Sequence, residues 1–201
     1  VAAAHSFITG YKVMHEGDSA GSLEGLLYKY LYAANGVFIT ARNDVFETTI
    51  PLTTIKNPAQ FVRGLEVIQP DIILPKRVPA SLLSRMVFLS RKALPNEILF
   101  YLFYENDEWH LYIPPQRTHP SYAKPLEDSN YVPIEIHSHN TMPAFFSAMD
   151  NRDENGLRIY GVLGLVDQPV VDFRLRVSIY GHYSVLPYQL VFNPTSEVKN
   201  G

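Results

Sequence analysis

The chain has no cysteine. That excludes disulfides, thiol nucleophiles and any cysteine-ligated metal, and it agrees with a reducing compartment. Charge is also sparse: 17 Lys and Arg against 20 Asp and Glu leave a formal −3 over 201 residues. Such a balance provides no broad basic surface for nucleic acid. No apolar run reaches the length of a transmembrane helix, so no membrane partner is expected. The opening Val1-Ala2-Ala3-Ala4 has no basic start and is too short for a signal sequence, which makes the cytoplasm the expected compartment. Internal repeats and low-complexity tracts are missing too. A chain of this length forms one or two domains and can bury a sizeable core.

Against that plain background stands His137-Ser138-His139, followed after seven residues by Ser147-Ala148-Met149-Asp150. A strand puts residues i and i+2 on one face, so His137 and His139 point into the same space. A helix puts i and i+3 on one face, so Ser147 and Asp150 point together. Asn140–Phe146 is long enough for the chain to leave the strand, turn and start that helix. Pro143 suits the helix's first turn and Gly156 its stop, so the segment reads as strand, turn, helix. Catalytic zinc takes three protein ligands and keeps a fourth position for water. His137, His139 and Asp150 supply two imidazole nitrogens and a carboxylate oxygen. Ser147 is a poor zinc ligand but a good donor toward a developing oxyanion.

Such a site still needs a general base, for which a glutamate is the natural candidate. Glu97 stands at the head of the apolar run Ile98–Tyr104, which reads as a buried central strand. Before it, Leu82, Met86, Leu89 and Ala93 recur at helical spacing within Pro79–Ala93, with Arg91 and Lys92 near the C-terminal end. Glu97 thus occupies a helix-to-strand junction, where it is either a rim carboxylate or part of a functional pocket. The rival bases Glu105 and Glu108 lie beyond the apolar strand, at the far end of the sheet. His110 reads as a strand residue, His119 lies in a proline-rich loop, and His182 follows Gly181 at a hairpin. His5 and His15 are remote from the motif, and none of these five is needed for the ligand set.

A glutamate at such a junction followed by H-S-H-x7-S-x-x-D resembles the JAMM (MPN+/JAB, Mov34/MPN/PAD-1) zinc metalloprotease family, over roughly Val78 to Pro194. The segment Phe145–Asp150 and the later Ile179–His182 are most similar to the branch of that family found in the bacterial PRTRC cassette, named for its ParB-related and ThiF-related members. The resemblance implies a JAMM-type zinc metallopeptidase, an isopeptidase or deubiquitinase-like hydrolase acting at the C-terminus of a ubiquitin-like protein or its conjugate. It implies one catalytic Zn2+ on His137, His139 and Asp150. Glu97 would move the proton, Ser147 would hold the oxyanion, and a ThiF/E1-like protein would be a cassette partner. Many family members carry Pro after the second histidine, where this chain has Asn140; that alters the turn but removes no ligand. Two other readings remain open: a noncatalytic MPN-type protein-binding scaffold, and a small-molecule zinc amidase or deaminase.

Along the chain, Leu26–Ala34 and Val37–Arg42 flank the hairpin signal Asn35-Gly36, and Val45–Leu52 supplies another strand. Arg63–Leu74 has extended character. Tyr28, Tyr30 and Tyr32 share a strand face and read as packing residues. We expect a small β-rich N-terminal region (1–75), a catalytic domain (76–195) and a C-terminal tail (196–201). Strands are expected at Glu108–Ile113, Tyr131–His137, Leu157–Val166, Phe173–Tyr180 and Tyr183–Phe192. Pro114–Asn130 reads as a loop too long for a simple hairpin, placed to clamp an extended tail, with apolar edge strands nearby for strand addition. The expected fold class is α/β: a JAB/MPN-type mixed β-sheet flanked by helices, cytidine-deaminase-like, after a small β-rich N-terminal region.

Overall fold

The computed structural model describes residues 9–127, 131–154 and 156–201. His5 and the last three residues of the 114–130 segment lie outside the described residues. The chain divides into two compact units between Leu74 and Pro75.

The first unit is a five-stranded sheet in sequence order: β1 (Thr9–Val13), β2 (Tyr28–Ala33), β3 (Gly36–Arg42), β4 (Glu47–Thr54) and β5 (Asp71–Ile73). β1 runs parallel to β2 and the remaining pairs are antiparallel. This is the expected β-rich region. Its hairpin, however, closes one residue early, because Ala33 pairs with Gly36 and leaves Ala34-Asn35 as the loop. Gly36 takes φ 145°, and a Cβ there would lie 2.1 Å from the Thr53 carbonyl oxygen. Of Arg63–Leu74, only the stretch from Asp71 to Ile73 is strand. The tyrosine face of β2 is the half-exposed one, while Lys29, Leu31 and Ala33 face the core. Tyr32 meets Tyr11 edge-on, so these rings pack along the outer face rather than in the interior.

The second unit is built on a mixed sheet. α1 (Ala80–Ala93) precedes β6 (Leu99–Glu105) and β7 (Glu108–Tyr112). A separate hairpin follows, β8 (Gln116–His119) with β9 (Tyr122–Pro125), and then β10 (Ile134–His139). The one-turn α2 (Asp150–Asp153) leads to β11 (Leu157–Gly164), β12 (Val171–Ile179), β13 (His182–Leu186) and β14 (Val198–Asn200). The spatial order is β13-β12-β11-β10-β6-β7, and β14 pairs with β12. β10 and β11 are parallel, whereas β10–β6, β11–β12 and β12–β13 are antiparallel. Central strands buried on both faces need near-continuous apolar sequence, which Leu99–Leu102 and Ile159–Leu163 supply, with Phe100, Leu102, Ile134, Ile136, Ile159 and Val162 fully buried.

Four local expectations are corrected. The fully buried stripe of α1 is Leu83, Met86, Val87 and Ser90, one position round from the expected stripe, with Leu82, Leu89 and Ala93 at its margin. The 114–130 segment is no open loop: its described part folds back as the β8–β9 hairpin. Residues 198–200, expected in a tail, form β14 in parallel register with Val171–Phe173. The motif helix spans only Asp150–Asp153, not the stretch from Pro143 to Gly156. Its early turns cannot form because their backbone is engaged elsewhere: the carbonyls of Asn140 and Met142 accept the N–H groups of Val166 and Leu165.

That engagement brings residues 142–144 directly over the end of β11. A Cβ on Gly164 would stand 2.1 Å from the Ala144 nitrogen and 2.4 Å from the Pro143 carbonyl carbon. Only a residue without a side chain permits so close a backbone crossing. Gly164→Ala should therefore lower the thermal midpoint, with roughly 1–3 kcal/mol of destabilisation from overpacking; an unchanged melting curve would contradict the crossing.

Candidate metal centre

The site begins with strand register. In β10, Glu135, His137 and His139 share one face, and in β6 Tyr101 pairs with Glu135 and Leu99 with His137. Continuing that pairing beyond β6 sets Glu97 across from His139. The ladder itself continues past the strand end through Ser138, whose N–H donates to the Ile98 carbonyl and whose Oγ accepts the Ile98 N–H, each at 3.0 Å. The middle residue of His-Ser-His is thus the stitch that fixes the two histidines against the segment carrying Glu97. Glu97 donates its own N–H to the His119 carbonyl at 2.9 Å, and the Gln116 side chain bonds both backbone groups of Leu99. These contacts hold the β8–β9 hairpin beside the motif.

Ser147 and Asp150 meet through a reciprocal cap. The Asp150 N–H donates to Ser147 Oγ at 3.2 Å, and the Ser147 N–H donates to Asp150 Oδ2. This is the logic of a capping box, here with aspartate in the return position. It uses one carboxylate oxygen and leaves Oδ1 facing the histidines. The Ser147 oxygen also accepts the Met149 N–H, so both of its lone pairs are engaged and its hydroxyl proton is left to donate.

The donor atoms converge. His137 Nε2 lies 3.1 Å from His139 Nε2 and 3.7 Å from Asp150 Oδ1, and the three ligand atoms all fall within 4.8 Å of one another. Ligands about 2.0–2.2 Å from a tetrahedral ion stand roughly 3.3 Å apart, so this donor set fits a zinc-sized ion. Burial lowers the pKa of His137 to about 4, with His139 and Arg176 adding to the effect and Asp150 opposing it. Burial lowers His139 as well, against the pull of Asp150 and the Pro143 carbonyl. Neutral imidazoles are the metal-binding form.

Glu97 is 3% exposed, and burial, reinforced by the Asp150 charge, pushes its carboxyl up to about 8. It lines the same cleft as His137, His139, Ser147 and Asp150, a space of about 920 Å³. The hairpin residues Ser121–Pro125 form one wall, and Met142, Phe145 and Met149 stand at 39–43% exposure along the motif side. The rival glutamates Glu105 and Glu108 pair with each other at the β6–β7 turn, at the opposite end of β6. Outside the ligand set, His110 approaches the Glu105 carbonyl, and the His119 ring stacks on Tyr122 with Nδ1 2.9 Å from Ser121 Oγ.

Residues 79–177 match the family model described as prokaryotic homologs of the JAB domain. That segment is similar to this family. The match spans just under half of the 201 residues and contains Glu97 and the whole H-x-H…S-x-x-D motif. The second unit accordingly has the JAB-domain fold, in a mixed α/β chain with few helices. No curated protein matches the chain. Among solved structures, it is similar to the solution structure of protein DSY2949 from Desulfitobacterium hafniense, at 16% identity and a TM-score of 0.38, covering 55% of this chain and 88% of that one. Among the described residues, no helix is long and apolar enough to cross a membrane.

Asn140 takes the left-handed conformation, with φ 37°. Proline is locked near −65°, whereas asparagine visits this region readily. The departure noted after the second histidine is thus a requirement of this turn. The Asn140 side chain also donates to the Pro120 carbonyl at 2.8 Å, tying the motif turn to the hairpin. Asn140→Gly should preserve the turn and metal binding, while Asn140→Pro should lose both. Calorimetric metal titration of the two variants checks this, and a fully competent Asn140→Pro protein would refute the turn's role.

Proposed function

We propose that the protein is a zinc-dependent JAMM-type peptidase that hydrolyses an amide or isopeptide bond after the C-terminus of a ubiquitin-like protein, in deconjugation or precursor processing. The observation that carries this reading is the convergence of three donor atoms beside a buried glutamate in one cleft. JAB-family proteins include metalloisopeptidases as well as inactive members, and this chain retains a donor set suited to the active kind. His137, His139 and Asp150 would hold the ion. Zinc supplies Lewis acidity, polarising a carbonyl and bringing the pKa of water down to about 7.

The protein's own groups divide the remaining work. Glu97 accepts the proton of the attacking water on a carboxylate oxygen and passes it to the departing amine. Burial raises the proton affinity of its carboxyl, which favours taking up the water's proton. Ser147 donates its remaining proton to the oxyanion of the tetrahedral intermediate. The substrate's tail would lie extended between the β8–β9 wall and the β10 face. Water adds its oxygen to the carbonyl carbon, the carbon–nitrogen bond breaks, and an acid and an amine leave. A ThiF/E1-like enzyme would be the cassette partner, so that activation of the modifier is matched by its removal.

The test is incubation of the zinc-loaded full chain with a panel of ubiquitin-like C-terminal fusions, alongside a chelated control. Cleavage that stops on chelation and returns with zinc is expected. Stoichiometric zinc with no cleavage of any fusion would turn the assignment to a binding scaffold or a small-molecule amidase. Glu97→Gln should keep its zinc while kcat falls about 10²–10⁴-fold; full activity in that variant eliminates Glu97 as the base. Asp150→Ala should lose most of its metal, measured by elemental analysis after gel filtration.

A further inference from the structure

The segment that presents Ser147 and Asp150 has little intrinsic hold on its own shape. α2 is a single turn of four residues, far below the length at which a helix is stable alone. The cap between Ser147 and Asp150 orders those residues relative to each other but does not tie them to the sheet. A buried ionic cluster does. Arg176, on β12, donates from Nε to Glu154 Oε2 at 2.6 Å and from Nη1 to Asn151 Oδ1 at 2.7 Å. Its guanidinium lies over the rings of Phe146 at 3.9 Å and Tyr183 at 4.3 Å. The Tyr183 hydroxyl reaches the carbonyls of Asn151 and Glu154, each at 3.2 Å. Arg176 and Glu154 are 6% and 5% exposed. The anchored positions 146, 151 and 154 bracket Ser147–Asp150 on both sides.

We infer that Arg176 is a positioning residue for the metal centre: held on β12, its guanidinium fixes the 146–154 segment so that Asp150 reaches the two histidines of β10. The inference rests on the metal-site reading above. Its reach is structural rather than electrostatic, and the two have opposite signs. The Arg176 charge is felt at His137, where it disfavours a second positive charge. Coulomb's law alone therefore predicts that removing Arg176 tightens cation binding. Positioning predicts that removing it weakens binding, because Asp150 is no longer delivered. Lysine cannot substitute fully, since a point charge lacks the planar fork that spans Glu154 and Asn151 and lies over two rings.

The experiment is a Co2+ titration of the metal-free full chain, followed by the d–d absorption of the bound ion, on the wild type and on Arg176→Met, Arg176→Lys, Tyr183→Phe, Asp150→Ala and Asp150→Ala/Arg176→Met. Arg176→Met should weaken Kd about 10–100-fold, the scale typical of lost support behind a ligand, with Arg176→Lys in between. In the double variant, Arg176→Met should add no further loss to Asp150→Ala, because both act through the same carboxylate. Unchanged or tighter binding by Arg176→Met overturns the inference, and so does full additivity in the double variant. Should Arg176→Met fail to fold, Tyr183→Phe decides. It deletes only a hydroxyl, and it should weaken Kd at least about 2-fold with the melting curve preserved; wild-type binding there overturns the inference. A wild type that binds no Co2+ removes the metal reading along with it, whereas loss in Asp150→Ala beside normal binding in the Arg176 variants removes the positioning role alone.

Discussion

Two imidazole nitrogens held 3.1 Å apart on one strand, in surroundings that disfavour protonating either, are the constraint around which the second unit is organised. Neutral nitrogens at that separation need a shared proton or a shared cation between them. Asp150 adds negative charge from the other side, and the buried Glu97 carboxyl senses that charge. A low-dielectric site that gathers donors in this way is suited to a divalent cation, which would balance its charge.

Such a site cannot form from one element, because the donors arise on supports of different stiffness. The histidines lie on β10, between β6 and β11 in the sheet, and move only if the sheet does. Glu97 lies just outside β6, stitched by Ser138 and by the His119 carbonyl. Asp150 sits on one helical turn beyond a loop that crosses Gly164 with no space to spare. The ionic cluster under α2 is the counterpart of the Ser138 stitch under the histidines. Burial pushes the Glu154 carboxyl up against the opposing pull of Arg176, so the cluster is costly to desolvate. A buried pair of this kind is weak evidence for stability but good evidence for a fixed geometry.

The parts of this arrangement that were legible in the sequence are the local ones. His137 and His139 share a face because strands alternate; Ser147 and Asp150 also come together, but through a reciprocal cap rather than on one helical face, because the helix begins only at Asp150. Glu97 is implied by the proton-transfer group the donors lack, and strand register sets it opposite His139. What local pattern could not reveal was set by distant partners. The 114–130 segment has the composition of a loop, and it is fixed as a hairpin by Gln116 bonding to Leu99, seventeen residues earlier in the chain. Pro143 suits a helix start, but the backbone around it is engaged by Leu165 and Val166. Arg176 is one of three charged residues in the strand Val171–Ile179, beside Asp172 and Arg174, and nothing nearby in sequence names Glu154 and Phe146 as its partners.

The loop between His139 and Ser147 is where these two kinds of control meet. Asn140 turns left-handed, bonds Pro120 through its side chain and Val166 through its carbonyl, and so couples three things at once: the end of the histidine strand, the hairpin wall and the exit of β11. The hairpin and the histidine turn are therefore bonded directly to each other. Glu97 shares the coupling, since its N–H is held by the hairpin's His119 carbonyl. A chain segment lying in the cleft against Ser121–Pro125 would press on the element that sets both the donor turn and the glutamate. The wall of the cleft and the donor cluster at its floor are joined by direct hydrogen bonds, which is why the hairpin belongs to the site rather than to its surroundings.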